Sequence, residues 1–168
     1  RIGFSYEELS DFAYTIKLAK NNLVRCSVCG HLTDQEKCSI CSDDKRNKKL
    51  ICVLEDFRSV FAFEKNNVYN GTYHVLNGLI SPIDQVGPDD INISSLIKRC
   101  EALGECELIL ALSSCIEGET TMLYISKICA GKNIQVSRLS YGIPLGADIE
   151  YIDSSTLDRA LEDRKKIS

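Results

Sequence analysis

Residues 24–46 read VRCSVCGHLTDQEKCSICSDDKR, and residues 50–56, just beyond, read LICVLED. Four of the nine cysteines fall in sixteen positions, as C-x2-C, eight residues, then C-x2-C. A thiol cluster of this kind serves as disulfides, as a redox pair or as a metal cage. A redox C-x-x-C sits at a helix N-terminus after a strand, and the first pair lacks that context. Disulfide staples belong to short secreted chains, whereas this one has 168 residues and 44% hydrophobic content. A tetrahedral zinc site needs four soft or borderline ligands, and two tight C-x2-C turns supply two thiolates each. Cys26, Cys29, Cys38 and Cys41 are therefore read as ligands of one structural Zn2+ per chain, with no position open to water. Gly30, directly after Cys29, suits the positive φ of such a knuckle. His31 is expected on the module's surface.

The stretch LICVL (50–54) is a continuous apolar run, as a strand buried on both faces requires. Outward from it, Arg58–Lys65 reads as helix and 71–78 (GTYHVLNG) as a short strand. Residues 79–90, with Pro82, Gly87 and Pro88, form a turn-rich loop. Asn92–Leu103 reads as helix, 107–112 (ELILAL) as a second buried strand, Glu117–Ala130 as helix and 134–140 (IQVSRLS) as a third such strand. Alternating strands and helices predict an α/β domain around a mostly parallel sheet. Upstream, Ser5 and Glu8 form a capping box for a helix to Asn22, with Leu9, Phe12, Ala13, Ile16 and Ala19 at helical spacing. Downstream, 141–151 is loop, and Ser155–Lys166 is a helix capped by Ser154 or Ser155.

Charge and composition narrow the function. The formal net charge is −4, which excludes the strongly basic face of a stand-alone DNA binder. Residues 1–50 hold nine Lys/Arg against seven Asp/Glu, and residues 51–168 hold eleven against seventeen. Arg25, Lys37, Lys45, Arg46, Lys48 and Lys49 are the candidates for phosphate contact; equally, they offset thiolate charge. No apolar run approaches the roughly 20 residues of a membrane span. The thiol-rich, disulfide-poor pattern predicts a cytoplasmic protein, and a start at Arg1 leads us to expect sequence upstream.

Glu55 ends the first buried strand, and Glu117 and Glu119 follow the second at a helix start. Strand C-termini of an open parallel sheet converge on one edge, so these carboxylates share a cleft, as a Mg2+ site or as a surface for basic residues. Helix N-termini also favour acidic residues for local reasons. No G-x-x-x-x-G-K-[ST] occurs, so nothing cradles a triphosphate. Cys115 reads as a buried or half-buried thiol, and Tyr124 and Tyr141 as core or interface residues.

The segments CSVCGHLTDQEKCSICSD, ICVLED, GTYHVLNGLISPIDQVGP, IEGETTMLYI and GIPLGADIEYIDSSTLDRALEDR, in this order, resemble the RecR family of bacterial recombination mediators. The resemblance runs from Leu23 to Ile167. After the N-terminal helix (1–23) read above, it implies a four-cysteine zinc finger (24–49), a Toprim domain (50–142) and a C-terminal oligomerisation segment (143–168) that wraps onto a neighbouring subunit. It also implies a homodimer or tetrameric ring clamped on DNA that works with RecO and RecF to load RecA on gapped or single-stranded DNA, without being an enzyme. Glu55, Glu117 and Glu119 become an acidic patch for partner docking. Two departures stand out. The family's Asp four residues after the first Toprim Glu is Ser59 here, with Asp56 expected to point elsewhere, which weakens a Mg2+ site. No helix-hairpin-helix precedes Ser5, so DNA binding by this chain is expected to be weak or lost. The rival reading is a Mg2+-dependent Toprim nuclease or topoisomerase-like enzyme. Those enzymes use a D-x-D pair to hold metal for phosphoryl chemistry, and after ELILAL this chain reads SSCIEGE instead.

Overall fold

The computed structural model describes residue 3 and residues 5–67, 69–140 and 142–166, without the side chains of Ala19 and Asn21. Tyr141 lies outside the described residues. The chain divides into two compact units, residues 1–137 and 138–168.

The first unit opens with α1 (Tyr6–Asn22). Its capping box forms as read: Ser5 N donates to Glu8 Oε2 at 2.8 Å and Glu8 N to Ser5 Oγ at 3.2 Å. Its apolar positions stay in solvent, with Leu9 53%, Phe12 66% and Ile16 54% exposed. Among the described residues α1 carries no buried side chain, and its capping box secures its first turn. A small module follows, comprising the two-residue strands β1 (Val24–Arg25) and β2 (Leu32–Thr33) paired antiparallel, and the single turn α2 (Ser39–Ser42).

The α/β part runs β3 (Asn47–Leu54), α3 (Phe57–Asn66), β4 (Gly71–Val75), α4 (Ile93–Leu103), β5 (Cys106–Ala111), α5 (Ile116–Cys129) and β6 (Ile134–Arg138). The sheet order is β4-β3-β5-β6, with β3 parallel to both β4 and β5. The apolar run at 51–54 is explained by this central place. Ile51 and Val53 pack with Leu96 and Cys100 of α4 and Ile125 of α5; Cys52 and Leu54 pack on the opposite face with Val60 of α3, Tyr73 and Val75. Successive strand side chains point to opposite faces, so both faces of β3 are dry over residues 51–54.

The third strand corrects its expectation of burial on both faces. In β6, Ile134 and Val136 pack partly against the core while Gln135 and Arg138 are exposed. It is an edge strand, covered on one side only. At the other edge β4 is wholly buried, because its outer side is occupied. Val75 N donates to Cys29 O at 2.7 Å, and Arg99 Nη1 of α4 donates to Tyr73 O at 2.7 Å. Covering an edge in this way prevents pairing with foreign strands.

In the second unit, α6 spans Ser154–Glu162. Its cap is Asp153, not Ser154 or Ser155: the carboxylate accepts from Thr156 N at 2.9 Å and from Ser155 Oγ at 2.6 Å. Those hydrogen bonds hold the Asp153 carboxyl below its usual range. An Asp accepts at N2 or N3 as readily as a serine does. The segment before it, expected as loop, closes a turn from Ala147 N to Pro144 O at 3.0 Å, with Gly146 at φ +81°, and then a short 3-10 helix over Ile149–Tyr151.

His74 of β4 is buried against α4 and donates from Nε2 to Asn92 O at 2.9 Å. Its Nδ1 is buried without a partner. Burial pushes the imidazole down to about 4, whereas a histidine in an unfolded chain titrates near 6.5. The unfolded chain therefore takes up the proton first. Stability is full above pH ~6.5 and is lost as pH falls toward 4. Urea unfolding at pH 7 and pH 4.5 should differ by about 2–3 kcal/mol through this group, and His74→Gln should remove most of that difference.

Candidate metal centre and acidic cleft

The two cysteine turns fold toward each other. Cys26 O accepts from Gly30 N at 3.0 Å, and Cys26 N donates to His31 O at 2.8 Å, closing the first knuckle. Ser42 N donates to Cys38 O at 3.1 Å at the second. Cys38 N then points at Cys26 Sγ, 3.3 Å away. The sulfurs of Cys26, Cys29, Cys38 and Cys41 all lie within 4.8 Å of one another, and Cys29 and Cys38 Sγ are 3.6 Å apart. A tetrahedron with Zn–S of about 2.3 Å has sulfurs about 3.8 Å apart. The four thiols fit that ion. They are free thiols, and no other group of three or more potential ligands converges among the described residues. Hydrogen bonds from Cys29 and Cys41 hold the Cys38 thiol far below the ordinary range, while contact with Cys38 pushes Cys29 up. Thiols this close resist sharing negative charge, which a divalent cation relieves.

Gly30 has φ +74°, and a Cβ there would sit 2.9 Å from Val75 O and 3.0 Å from Asn92 Nδ2. Its freedom serves both the turn and the close seating of the knuckle on β4. His31 corrects its expectation. It is only 7% exposed and lies edge-on to Phe61 of α3, centroids 5.2 Å apart. The ring packs between module and helix, and burial lowers its basicity.

The six basic candidates divide by what they touch. Arg46 makes a bidentate pair with Glu64, at 2.9 and 2.5 Å, and Tyr73 Oη donates to Glu64 Oε1 at 2.6 Å. Lys48 Nζ donates to Cys41 O at 2.9 Å and to Asp43 O. These two fasten the module. Lys49 stands 3.8 Å from Glu105. Lys37 and Lys45 are exposed, without a side-chain partner among the described residues. Arg25 lies elsewhere, beside the acidic residues.

Glu55, Asp56, Arg25, Arg58 and Glu117 line one cleft of about 700 Å³ at the C-terminal edge of β3 and β5. Glu55 accepts from Ser113 N at 3.1 Å and from Ser113 Oγ at 2.8 Å. Ser113 was not singled out by sequence; a serine two residues past a strand carries no signal of its own. Asp56 corrects its expectation, for it both caps α3 and lines the cleft. It accepts from Arg58 N at 2.8 Å and Arg58 Nε at 2.7 Å, contacts that hold its carboxyl low. Glu119 is partly buried and is not among the residues lining the cleft. The structure thus joins Glu55 and Glu117 and leaves Glu119 to one side.

Cys115 also differs from expectation. It is exposed, and its Sγ accepts from Gly118 N at 3.4 Å at the start of α5. Tyr124 is 36% exposed. Gly118, between the two glutamates, is buried where a Cβ would come 1.9 Å from Ser113 O. The E-G-E stretch is thus also a packing requirement. Gly118→Ala should cost about 3 kcal/mol in urea unfolding, and it should disturb Glu55 through Ser113.

A family model for the Toprim domain matches residues 49–140, one for the RecR four-cysteine zinc finger domain matches residues 23–43, and one for the RecR C-terminal region matches residues 142–165. The chain is 48% identical over 166 residues to the recombination protein RecR of Streptococcus uberis (strain ATCC BAA-854 / 0140J), covering 99% of this chain and 84% of that protein. The RecR of Streptococcus equi subsp. equi (strain 4047) gives the same figures. The zinc-finger match and the converging thiols agree on a structural zinc ion. Metal analysis should find one zinc per chain. Cys29→Ser should lose it, together with the module's fold, since zinc supplies roughly 10–16 kcal/mol to comparable peptides. With its zinc finger, its Toprim sheet and its C-terminal segment each matched in order, the chain belongs to the RecR family of recombination proteins.

Proposed function

We propose that the chain is a non-catalytic mediator of DNA recombination and repair. Through residues 143–168 it assembles into a homodimer or tetrameric ring, which clamps on DNA and acts with RecO and RecF to load RecA on gapped or single-stranded DNA. The observation that carries this reading is the composition of the acidic cleft. Metal-dependent phosphoryl transfer on a Toprim sheet needs carboxylates free to converge on Mg2+. Here Glu55 is engaged by Ser113, position 59 is serine, Asp56 is paired with Arg58, and Glu119 lies outside the lining residues. Such a surface suits basic side chains of a protein partner better than a metal pair.

Glu55, Glu117 and Glu119 form the docking patch for RecO in this reading, with Glu55 and Glu117 as its core. DNA contact falls to Lys37, Lys45 and Lys49, because Arg46 is paired with Glu64 of α3, Lys48 is bonded to carbonyls of the module and Arg25 lines the acidic cleft. Binding through so few cations is weak, independent of sequence and sensitive to salt.

Replacing Lys37 and Lys45 together by alanine should lower DNA affinity and flatten the log–log salt dependence by about 1.4–1.8, two phosphate contacts' worth. Glu55→Ala with Glu117→Gln should instead abolish RecO binding and leave the salt slope unchanged. Metal-dependent cutting or relaxation of DNA that disappears in Glu55→Ala would overturn the mediator reading.

A further inference from the structure

Arg25 stands in β1, directly before the ligand Cys26, yet it lines the cleft of the Toprim sheet. Two contacts place it there. Its Nη1 donates to Gly30 O, 3.2 Å away, and its guanidinium carbon lies 5.5 Å from the centroid of the Phe57 ring. Gly30 belongs to the zinc knuckle, and Phe57 is the first residue of α3, directly after Glu55 and Asp56. The knuckle is itself fixed to the sheet by Cys29 O accepting from Val75 N and by the side-chain-free approach of Gly30 to Val75 O and Asn92. The guanidinium is therefore held by a carbonyl whose position depends on the metal-folded turn.

The cleft is lined by the carboxylates Glu55, Asp56, Asp84, Asp90 and Glu117 and by the two guanidiniums. Four of those carboxylates already accept hydrogen bonds: Asp56 from Arg58, Glu55 from Ser113, Asp84 from Ser81 and Asp90 from Gly87 N. The carboxylate of Glu117 has no hydrogen-bond or ion-pair partner among the described residues, while its backbone carbonyl accepts from Thr121 Oγ1 at 2.7 Å. Arg58 is spent on Asp56. Arg25 makes no ion pair among the described residues and contributes an undivided positive charge to the cleft's field.

We infer that Arg25 is the fixed counter-cation of the acidic cleft and its specificity-determining residue, and that the zinc knuckle holds it there. This deepens the docking role proposed above and rests on it. A compact cation entering beside Glu117 meets the field of Arg25, whereas an extended segment bearing several lysines or arginines reaches Glu117, Asp84 and Asp90 at separate points. The zinc-loaded protein therefore disfavours free divalent ions and keeps the cleft for a basic polypeptide.

The test uses the full chain and Mg2+ alone, a hard ion that takes oxygen ligands and leaves thiols untouched, with binding read from 25Mg NMR line widths at low salt. Arg25→Gln should bind Mg2+ about fivefold more tightly than the native chain, an effect that shrinks in 1 M salt. Arg25→Lys should restore the native value, and adding Glu117→Gln to Arg25→Gln should remove the gain. Stripping zinc should raise Mg2+ affinity clearly more in the native chain than in Arg25→Gln. Equal Mg2+ affinity in the native and Arg25→Gln chains would overturn the inference. So would a gain that survives Glu117→Gln, or zinc stripping that shifts both chains alike. A fluorescein-labelled peptide of alternating lysine and serine separates the two readings. A Mg2+ shift with no peptide binding to the native chain sinks the docking role and leaves the assignment of Arg25 standing.

Discussion

The join between the metal module and the sheet leans on one contact, the seating of the first cysteine knuckle on the outer edge of β4. The carbonyl of Cys29 takes the amide hydrogen of Val75, and Gly30 comes so near that no side chain fits between. An edge strand with open amides and carbonyls is a liability in any sheet. Here the metal module acts as the missing neighbour. In return the sheet gives the module a rigid floor, which a few dozen residues with three buried thiols could not make alone.

Around that contact the charges are arranged with economy. Arg46 and Lys48, sequence neighbours of the last ligand, tie the module to α3 and to itself. Arg25 stays hydrogen-bonded to Gly30 of the knuckle and lines the cleft with Glu55 and Glu117. The same small domain thus stabilises the sheet, shields its edge and sets the electrostatics of the surface where a partner is proposed to dock.

Much of this could be read from the residues alone. The twin knuckles dictated the metal, because their residue type and spacing leave few alternatives. The apolar run at 50–54 gave the central strand, and β/α alternation gave the parallel sheet. What escaped were features decided by neighbours distant in sequence. His31 looks like a surface residue until Phe61 covers it. Cys115 looks half-buried until the turn before α5 leaves it in solvent. Burial of 134–140 failed because an apolar pattern does not say which strand is at the edge. The acidic patch was legible as Glu55 and Glu117 on one sheet edge; that Glu119 stays outside, and that Arg25 joins them, depends on packing no local pattern records.

Whether metal binding truly seals the edge of β4 can be measured directly, by hydrogen exchange read by mass spectrometry with and without bound zinc. Zinc removal should expose the amides of 26–41 and of 71–76, while those of 106–111 in the sheet interior stay protected. Unchanged protection at 71–76 after the metal is gone would mean that the sheet closes its own edge and that the knuckle is only a passenger.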